Sequence, residues 1–203
     1  MSTQKRALAR DAIKALIVDA ARELFVRDGI EAVTMRAIAK RIGYTPTTIY
    51  LHFRDKQALL EELCLRDMGA LANAFHRIGR IEDPVDRLRR LGMAYIDFAV
   101  DYPSHYRFIF MTQKPAITSA LQASPDQNAY LMLFETVKEG IAAGQYRPEF
   151  DDAHQLAQLM WGALHGIVAL QIVKSDEPWI EWRDVRETAR AMCDLSMRGV
   201  LRA

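Results

Sequence analysis

The stretch that decides the fold is TMRAIAKRIGYTPTTIYLHFRDK, which runs from Thr34 to Lys56. It has the pattern of two short helices separated by a tight turn and followed by the start of a longer helix. Thr34 stands where its hydroxyl can accept a hydrogen bond from an N–H of the first helical turn. The apolar residues that follow recur at helical spacing and predict one buried stripe: Met35, Ile38, Ala39 and Ile42.

The turn and the second helix also carry local signals. Gly43 can adopt the positive φ that commonly ends a helix. Thr45 can cap the next helix, and Pro46 occupies its first position, where a missing N–H is no loss. Ile49 and Phe53 supply the apolar contacts that hold this helix in place. A helix, a glycine turn and a second helix with small polar residues at its front predict a helix-turn-helix.

These residues resemble the DNA-binding signature of the TetR/AcrR transcriptional regulators. The likeness rests on Gly43-Tyr44-Thr45, on Ile49-Tyr50-Leu51-His52-Phe53, and on Lys56 with Leu59-Leu60 after it. The spacing matches without a gap, and Thr34 falls where that family caps its second helix. The match is specific in residue type, but it covers only the first quarter of the chain tightly.

In such a unit the N-terminal end of the second helix enters the major groove. Threonine can contact base edges and thymine methyl groups, whereas Thr45–Phe53 holds no Asn, Gln or Arg for a bidentate base contact. The resemblance implies phosphate contacts from Thr34, Tyr50, His52 and Lys56; packing roles for Tyr50 and His52 stay open. The predicted DNA-binding residues are Thr34, Arg36, Tyr44, Thr45, Pro46, Thr47, Thr48, Tyr50, His52 and Lys56.

The distribution of charge agrees with a nucleic-acid partner at the N-terminal end. Residues 1–54 hold ten Lys and Arg against five Asp and Glu, whereas residues 55–203 hold seventeen against twenty-one. A basic segment attracts the phosphate backbone and releases counterions on binding. Three of these ten cations, Lys5, Arg6 and Arg10, lie at the start of the chain and either contact DNA or form a solvated arm.

Composition predicts a cytoplasmic protein with no membrane partner. The two cysteines, Cys64 and Cys193, each lie within a helical pattern and are expected to be buried thiols. Residues 1–10 lack the apolar core of a signal peptide. The longest apolar run, Leu159 to Val173, is interrupted by polar residues and is shorter than the roughly 20 residues of a membrane span.

The predicted fold is all-α, with about nine helices. Residues 1–54 form the expected three-helix DNA-binding domain, and residues 55–203 form a helical ligand-binding and dimerisation domain. The ends of the expected helices are predicted from capping residues, glycines and prolines. Helix 1 is expected at Leu8–Asp28, helix 4 at Asp55–Gly79, helix 5 at 84–102, helix 6 at 103–111, helix 7 from Ser124-Pro125 to Gly144, helix 8 from Asp151-Asp152, and helix 9 at Glu181–Arg202.

Trp161, His165 and Gly166 in helix 8 resemble a tryptophan–histidine–glycine subgroup of TetR-type C-terminal domains. In that family the last two helices pair with their copies in a second subunit as a four-helix bundle, so the resemblance implies a homodimer. Two apolar faces left exposed on a monomer would also form an unusually large patch. The predicted interface residues are Gly162, Gly166, Ala169, Val185, Ala189, Met192, Ser196 and Val200.

Helices 5 to 7 are rich in aromatic residues. Core packing explains most of them taken singly, whereas as a group they suit the apolar wall of a small-molecule site. His165 is expected either as a polar contact in that site or as the partner of a buried carbonyl. The predicted pocket residues are Tyr95, Phe98, Tyr102, Tyr106, Phe110, Phe134, Trp161 and His165.

The sequence carries no pattern typical of an enzyme. It lacks a glycine-rich phosphate loop, a G-x-S-x-G and an H-E-x-x-H, and Asp151 with His154 has no matching metal ligands elsewhere. We therefore predict no catalytic residues, no metal and no cofactor. The predicted function is a ligand-responsive transcriptional repressor released from a palindromic operator by a small apolar or aromatic effector. A regulator without a ligand, or a helical binding protein or enzyme with a vestigial DNA domain, are the alternatives.

Overall fold

The computed structural model describes residues 3–113 and 128–202, and within these ranges the chain is all-α, as predicted. A single β-bridge between Tyr146 and Leu201 is the only strand-like pairing in the described residues. The helices are α1 Thr3–Asp28, α2 Met35–Arg41, α3 Pro46–Tyr50, α4 Lys56–His76, α5 Pro84–Asp101, α6 Pro103–Tyr106, α7 Ala129–Ala142, α8 Ala153–Lys174 and α9 Val185–Val200. A π-helical turn, Arg107–Met111, continues α6.

Several helix ends differ from the predicted ones. Helix α1 begins at Thr3 rather than Leu8, and α4 ends at His76, before the positive φ of Gly79. Helix α9 begins at Val185 rather than Glu181, because the Asp184 side chain caps it by accepting from the Glu187 N–H at 2.9 Å. The predicted start of helix 7 at Ser124-Pro125 and most of the loop predicted over 112–124 lie outside the described residues.

The helices form two compact units. The N-terminal unit contains residues 3–68 and 104–113 of the described chain, and the C-terminal unit contains residues 69–103 and 128–202. The N-terminal unit is therefore larger than the predicted domain 1–54, and it is discontinuous in sequence. The first half of α4 belongs to it because Leu59, Leu60 and Leu63 are buried in the same core as α1, α2 and α3.

The π-helical turn completes that core from far along the chain. The Phe108 side chain is fully buried there, and its ring stacks on Phe25 of α1 with centroids 6.3 Å apart. In the same unit, Arg22 and Asp67 form a buried ion pair, with two N–H···O bonds of 2.7 Å. The N-terminal unit thus depends on a hydrophobic residue and a charge pair that lie outside the helix-turn-helix sequence.

In the C-terminal unit, α5, α7, α8 and α9 pack against one another. One part of their core consists of buried residues from these helices and the connection before α8: Val85, Leu88, Val137, Tyr146, Leu156, Ala157, Met197 and Val200. Gly140 is required for this packing, because a Cβ there would lie 2.6 Å from the Tyr146 ring. On the surface, Arg186 of α9 pairs with Asp97 and Asp101 of α5 at 2.7 and 2.8 Å.

Helix α8 is the only helix of the described chain whose length and composition would allow it to cross a membrane. It packs here against α5, α7 and α9 and leaves one side exposed. A single helix of this kind does not indicate a membrane protein. The two cysteines do not form a disulfide; Cys64 is buried and Cys193 is half-buried.

Candidate nucleic-acid interface

Helix α2 and the turn after it are formed as their sequence predicts. The Thr34 hydroxyl accepts a hydrogen bond from the Ala37 N–H at 3.1 Å. Gly43 has a φ of 72°, and an added Cβ would meet nothing within 4 Å, so the backbone conformation alone requires a glycine. The Tyr44 N–H donates to the Ala39 carbonyl at 3.0 Å, which closes the turn and places the next cap.

Helix α3 presents a polar end over one buried residue. Thr45 caps it by accepting from the Thr48 N–H at 3.3 Å, and the two threonine hydroxyls lie 3.1 Å apart. Ile49 is completely buried and fixes the helix to the core. Thr47 is exposed and its hydroxyl makes no hydrogen bond to other described residues. Of the three predicted threonine readers, Thr47 is therefore the one whose hydroxyl is not already used within the protein.

Exposed aromatic and basic side chains surround α3. Tyr44 is 41% and Tyr50 53% exposed, so neither is a core residue. Arg36 and Lys40 are both exposed on α2, and neither forms an ion pair with another described residue. Being four residues apart, they lie on one face of the helix. The sequence analysis missed Lys40, although its spacing from Arg36 could have indicated it.

Lys56 has a different environment from that of an exposed phosphate ligand. Its ammonium group is partly buried and donates to the carbonyl oxygens of Ile30 and Val33 at 2.9 and 3.2 Å. Two of its three N–H donors are therefore used to hold the turn between α1 and α2 against the start of α4. Lys56 thus holds the helix-turn-helix in position and keeps one donor for other partners, and its phosphate contact stays a prediction.

His52 is half-buried beside α1. Burial lowers the pKa of His52, and the charges of Arg10 and Lys14 lower it further. Both effects favour the neutral imidazole, which can contribute a hydrogen bond to a phosphate. Lys14 itself is paired with Glu62 at 2.9 Å, and Arg41 with Glu23 at 2.8 Å, so neither adds an unpaired charge to this surface.

The eight predicted pocket residues are divided between the two units. Tyr106 and Phe110 lie in the N-terminal unit, where their rings pack 5.0 Å apart, and Tyr102 is 48% exposed. In the C-terminal unit, Tyr95 and Phe98 are buried, and Phe134 stacks on His154 rather than on another predicted residue. The sequence does not reveal which unit each of these aromatic residues joins, and the pocket of all eight stays a prediction.

Three of the predicted residues do meet. The Trp161 indole N–H donates to the Tyr95 hydroxyl at 3.1 Å, and that hydroxyl lies 3.0 Å from Nδ1 of His165. Because the tyrosine oxygen accepts from Trp161, its own proton is available to His165 Nδ1, which fits the neutral tautomer with hydrogen on Nε2. Burial lowers the pKa of His165 in the same direction.

A cleft of about 410 Å³ lies elsewhere in the C-terminal unit. None of the predicted pocket residues lines it. Its walls come from the end of α4, from α5 and from α7: Phe75, His76, Ile78, Gly79, Arg80, Arg87, Leu91, Met132, Thr136 and Glu139. No group of three His, Cys, Asp or Glu side chains suited to a metal ion occurs in the described part of the chain.

The predicted interface residues fall into two groups. Gly162 is exposed, and Gly166 and Ala169 are half-buried on α8, whereas Ala189 and Val200 on α9 are buried within the chain's own core. The prediction was therefore wrong for Ala189 and Val200, because the apolar stripe of α9 faces its own subunit. Val185, Met192 and Ser196 lie on the same inward side and are half-buried.

The fold and the exposed surface of α2 and α3 together define a helix-turn-helix DNA-binding protein. Comparison with known families agrees with this class. The model of bacterial regulatory proteins of the tetR family matches residues 17–63, and that of the tetracyclin repressor-like C-terminal domain matches residues 88–195. The chain belongs to the TetR family of DNA-binding transcriptional regulators, whose members are not enzymes.

Individual relatives are more distant. The chain is 30% identical over 91 residues to an uncharacterized HTH-type transcriptional regulator, YobS of Bacillus subtilis, a match that spans 45% of this chain and 48% of YobS. It is 29% identical over 143 residues to the repressor KstR2 of Mycobacterium tuberculosis, across 66% and 70% of the two chains. A TetR family regulator from Marinobacter aquaeolei has the same fold, with a TM-score of 0.72, 17% identity, and coverage of 99% and 100%.

Proposed function

We propose that the chain is a cytoplasmic, homodimeric repressor that binds a palindromic operator and is released from it by a small molecule. The observation that carries the proposal is the exposed surface of α2 and α3, where Thr47 and Tyr50 stand beside Arg36 and Lys40 above a fully packed core. Each subunit would place α3 in the major groove of one half-site. In helix-turn-helix dimers such half-sites lie about 34–36 Å apart, or a multiple of that distance.

A dimer is supported by the exposed side of α8. Leu159, Leu170 and Val173 are each more than half exposed there. Gly162 lies on the same stripe, and a Cβ at Gly162 would meet nothing within 4 Å. The glycine is thus not required by packing within the chain, and it allows another helix to approach closely. Leu195, 66% exposed on α9, adds an apolar side chain from the second helix.

The dimer is tested by sedimentation of a charged variant. Leu170→Glu together with Val173→Glu places two carboxylates on the apolar stripe, so we expect monomers at concentrations where the natural chain sediments as a dimer. The matched control is Gln158→Glu, which adds one carboxylate to an exposed polar position of the same helix. Equal sedimentation of all three proteins as dimers would place the subunit contact on another surface.

Release by a small molecule is supported by the path of α4. This helix begins at Lys56 in the N-terminal unit and ends at His76 in the C-terminal unit, where its last residues help to line the cleft. A ligand that moves the end of α4 would therefore move the helix-turn-helix of each subunit on the DNA. A coupling of roughly 1–3 kcal/mol, or 5- to 150-fold in operator affinity, would be typical.

The regulator itself is tested by gel-shift binding to genomic fragments around its own gene, at physiological salt and with non-specific competitor. We expect a shift that survives competition and that is lost when either half of the palindrome is scrambled. A shift abolished by competitor alone would leave only charge-driven binding. We also propose that the chain acts as a repressor. Its Trp161, His165 and Gly166 support membership of the tryptophan–histidine–glycine subgroup.

A further inference from the structure

We propose that the cleft between the end of α4, α5 and α7 binds an amphipathic organic anion, with a carboxylate or similar acidic group on an apolar body. The inference rests on the proposed function in one respect, since it identifies the class of effector and its site. The volume of about 410 Å³ is within the range of about 300–1,000 Å³ that is typical of small-molecule sites.

The inner wall of the cleft would receive the apolar body. Phe75 and Leu91 are buried and Met132 is half-buried, and all three line the cleft. Aromatic, branched and thioether side chains together form a surface that adapts to an aliphatic or ring-containing ligand. The only neutral polar group on this wall is Thr136, whose hydroxyl already donates to the Met132 carbonyl at 2.8 Å. This wall therefore favours apolar atoms.

The charges at the rim select the sign of the polar group. Arg80 and Arg87 bring two positive charges to the cleft, and Glu139 brings one negative charge that is already paired with Arg87. Arg80 is exposed and makes no ion pair with the described residues. A cation would meet two guanidinium groups, whereas a carboxylate would find an unpaired guanidinium suited to bidentate bonding.

Arg87 also has an unused donor. One Nη of its guanidinium donates to the Ile81 carbonyl at 3.2 Å and the other donates to Glu139, but its buried Nε–H has no partner within the described structure. Because this Nε–H is enclosed by protein atoms, the donor open to a ligand's acidic group is the exposed guanidinium of Arg80. The ligand's acidic group thus belongs near Arg80 and Arg87, at the open end of the cleft.

The probe is decanoate, titrated into the full-length protein by calorimetry without DNA and compared with the neutral 1-decanol. We expect decanoate to bind and 1-decanol to bind at least about 10-fold more weakly, the usual scale of one charge-assisted hydrogen bond. Arg80→Gln should weaken decanoate about 10-fold as well. The matched control, Arg89→Gln, removes an exposed arginine of α5 that does not line the cleft and should bind decanoate normally.

A second variant, Met132→Trp, fills the cleft without altering a charge and should abolish binding of both probes; circular dichroism verifies that each variant is folded. Decanoate that does not bind, that binds no better than decanol, or that binds equally to Arg80→Gln overturns the inference. So does a loss of binding in Tyr95→Phe but not in Arg80→Gln, which would place the ligand at the tyrosine–tryptophan–histidine group. Decanoate that binds as expected but leaves operator affinity unchanged upholds the cleft and refutes ligand-controlled release.

Discussion

The Arg22 guanidinium and the Asp67 carboxylate form a fully enclosed pair in the N-terminal unit, with two bonds of 2.7 Å between α1 and α4. Asp19 takes a further Arg22 N–H at 2.8 Å, and His105 approaches the Asp67 carboxylate at 3.8 Å. The pair therefore connects three separate parts of the chain. Its value to the fold lies in the cost of separating its members, because either one alone would be an uncompensated charge in the interior.

Replacing one member should accordingly be severe. We expect Asp67→Asn to lower the free energy of unfolding by about 3–5 kcal/mol, because the buried Arg22 charge then keeps only the exposed Asp19 carboxylate as a partner. Urea unfolding followed by circular dichroism measures this. The control is Glu23→Gln, which removes the partner of Arg41 in an exposed pair and should cost less than about 1 kcal/mol. Similar losses from the two variants would refute the special role of the buried pair.

We expect Lys56 to hold the helix-turn-helix in position and Lys40 to contact a DNA phosphate. Lys56→Met should lower stability by about 1–3 kcal/mol, since the Ile30 and Val33 carbonyls lose a charged donor, and it should leave the salt dependence of operator binding unchanged. Lys40→Met should leave stability unchanged and reduce the slope of log affinity against log salt by about 1. Filter binding at several salt concentrations, with thermal unfolding, tests both. The assignment is reversed if Lys56→Met alters the slope and Lys40→Met does not.

The threonines of α3 should also divide by role. Thr45→Ala removes a helix cap and should cost about 1 kcal/mol of stability. Thr47→Ala removes an exposed hydroxyl and methyl group and should instead relax the preference for a particular base pair while stability stays unchanged. Binding selection from randomised operators, compared between the variants and the natural protein, reveals the change. Identical base preferences in Thr47→Ala and the natural chain would exclude Thr47 as a reader.

Phe108 should matter to the N-terminal unit as much as its own helices do. Phe108→Ala leaves a cavity against Phe25 in a closed core, so we expect a loss of about 3–5 kcal/mol in the free energy of unfolding. Leu51→Ala serves as the control in the same unit, because Leu51 is 71% exposed and its removal should alter stability by no more than about 0.5 kcal/mol. A small effect of Phe108→Ala would mean that the unit closes without the π-helical turn.

Stability should fall as the solution becomes acidic below about pH 6.5, the ordinary pKa of histidine. Burial lowers the pKa of His165, so the unfolded chain binds its proton more readily than the folded one. Stability is then complete above the unfolded pKa and is lost as the pH falls towards the lower folded pKa. His52 and His105, whose pKa values burial also lowers, add to the same trend.

Urea unfolding of the natural protein and of His165→Gln between pH 5 and pH 7.5 tests the His165 contribution. The variant should lose less stability over this interval than the natural chain does. Tyr95→Phe removes the hydroxyl that faces Nδ1 but retains the histidine, so its profile should still fall with acid. Parallel profiles for the natural chain and His165→Gln would contradict the assignment.

The sequence predicts well where the signals are local. Gly43, Thr45 and Pro46 each act within one turn of the backbone, and the structure places each as its chemistry requires. Contacts between distant residues are harder to predict. Lys56 was identified as a functional residue, but the Ile30 and Val33 carbonyls that it binds lie before α2, and no short-range pattern indicates them. Ala189 and Val200 show another, since an apolar stripe reveals that a helix face is covered without revealing whether the same chain or a second one covers it.

Because the N-terminal unit is discontinuous in sequence, it cannot fold completely while the first part of the chain is being synthesised. A ribosome makes the helix-turn-helix before it makes α5, α6 or the π-helical turn, so the nascent chain carries a DNA-reading surface whose core is still open. Phe108 can join that core only after residue 108 has been made. We therefore expect a chain that stops before Phe108, or a helix-turn-helix transplanted without residues 104–111, to be less stable than the whole N-terminal unit.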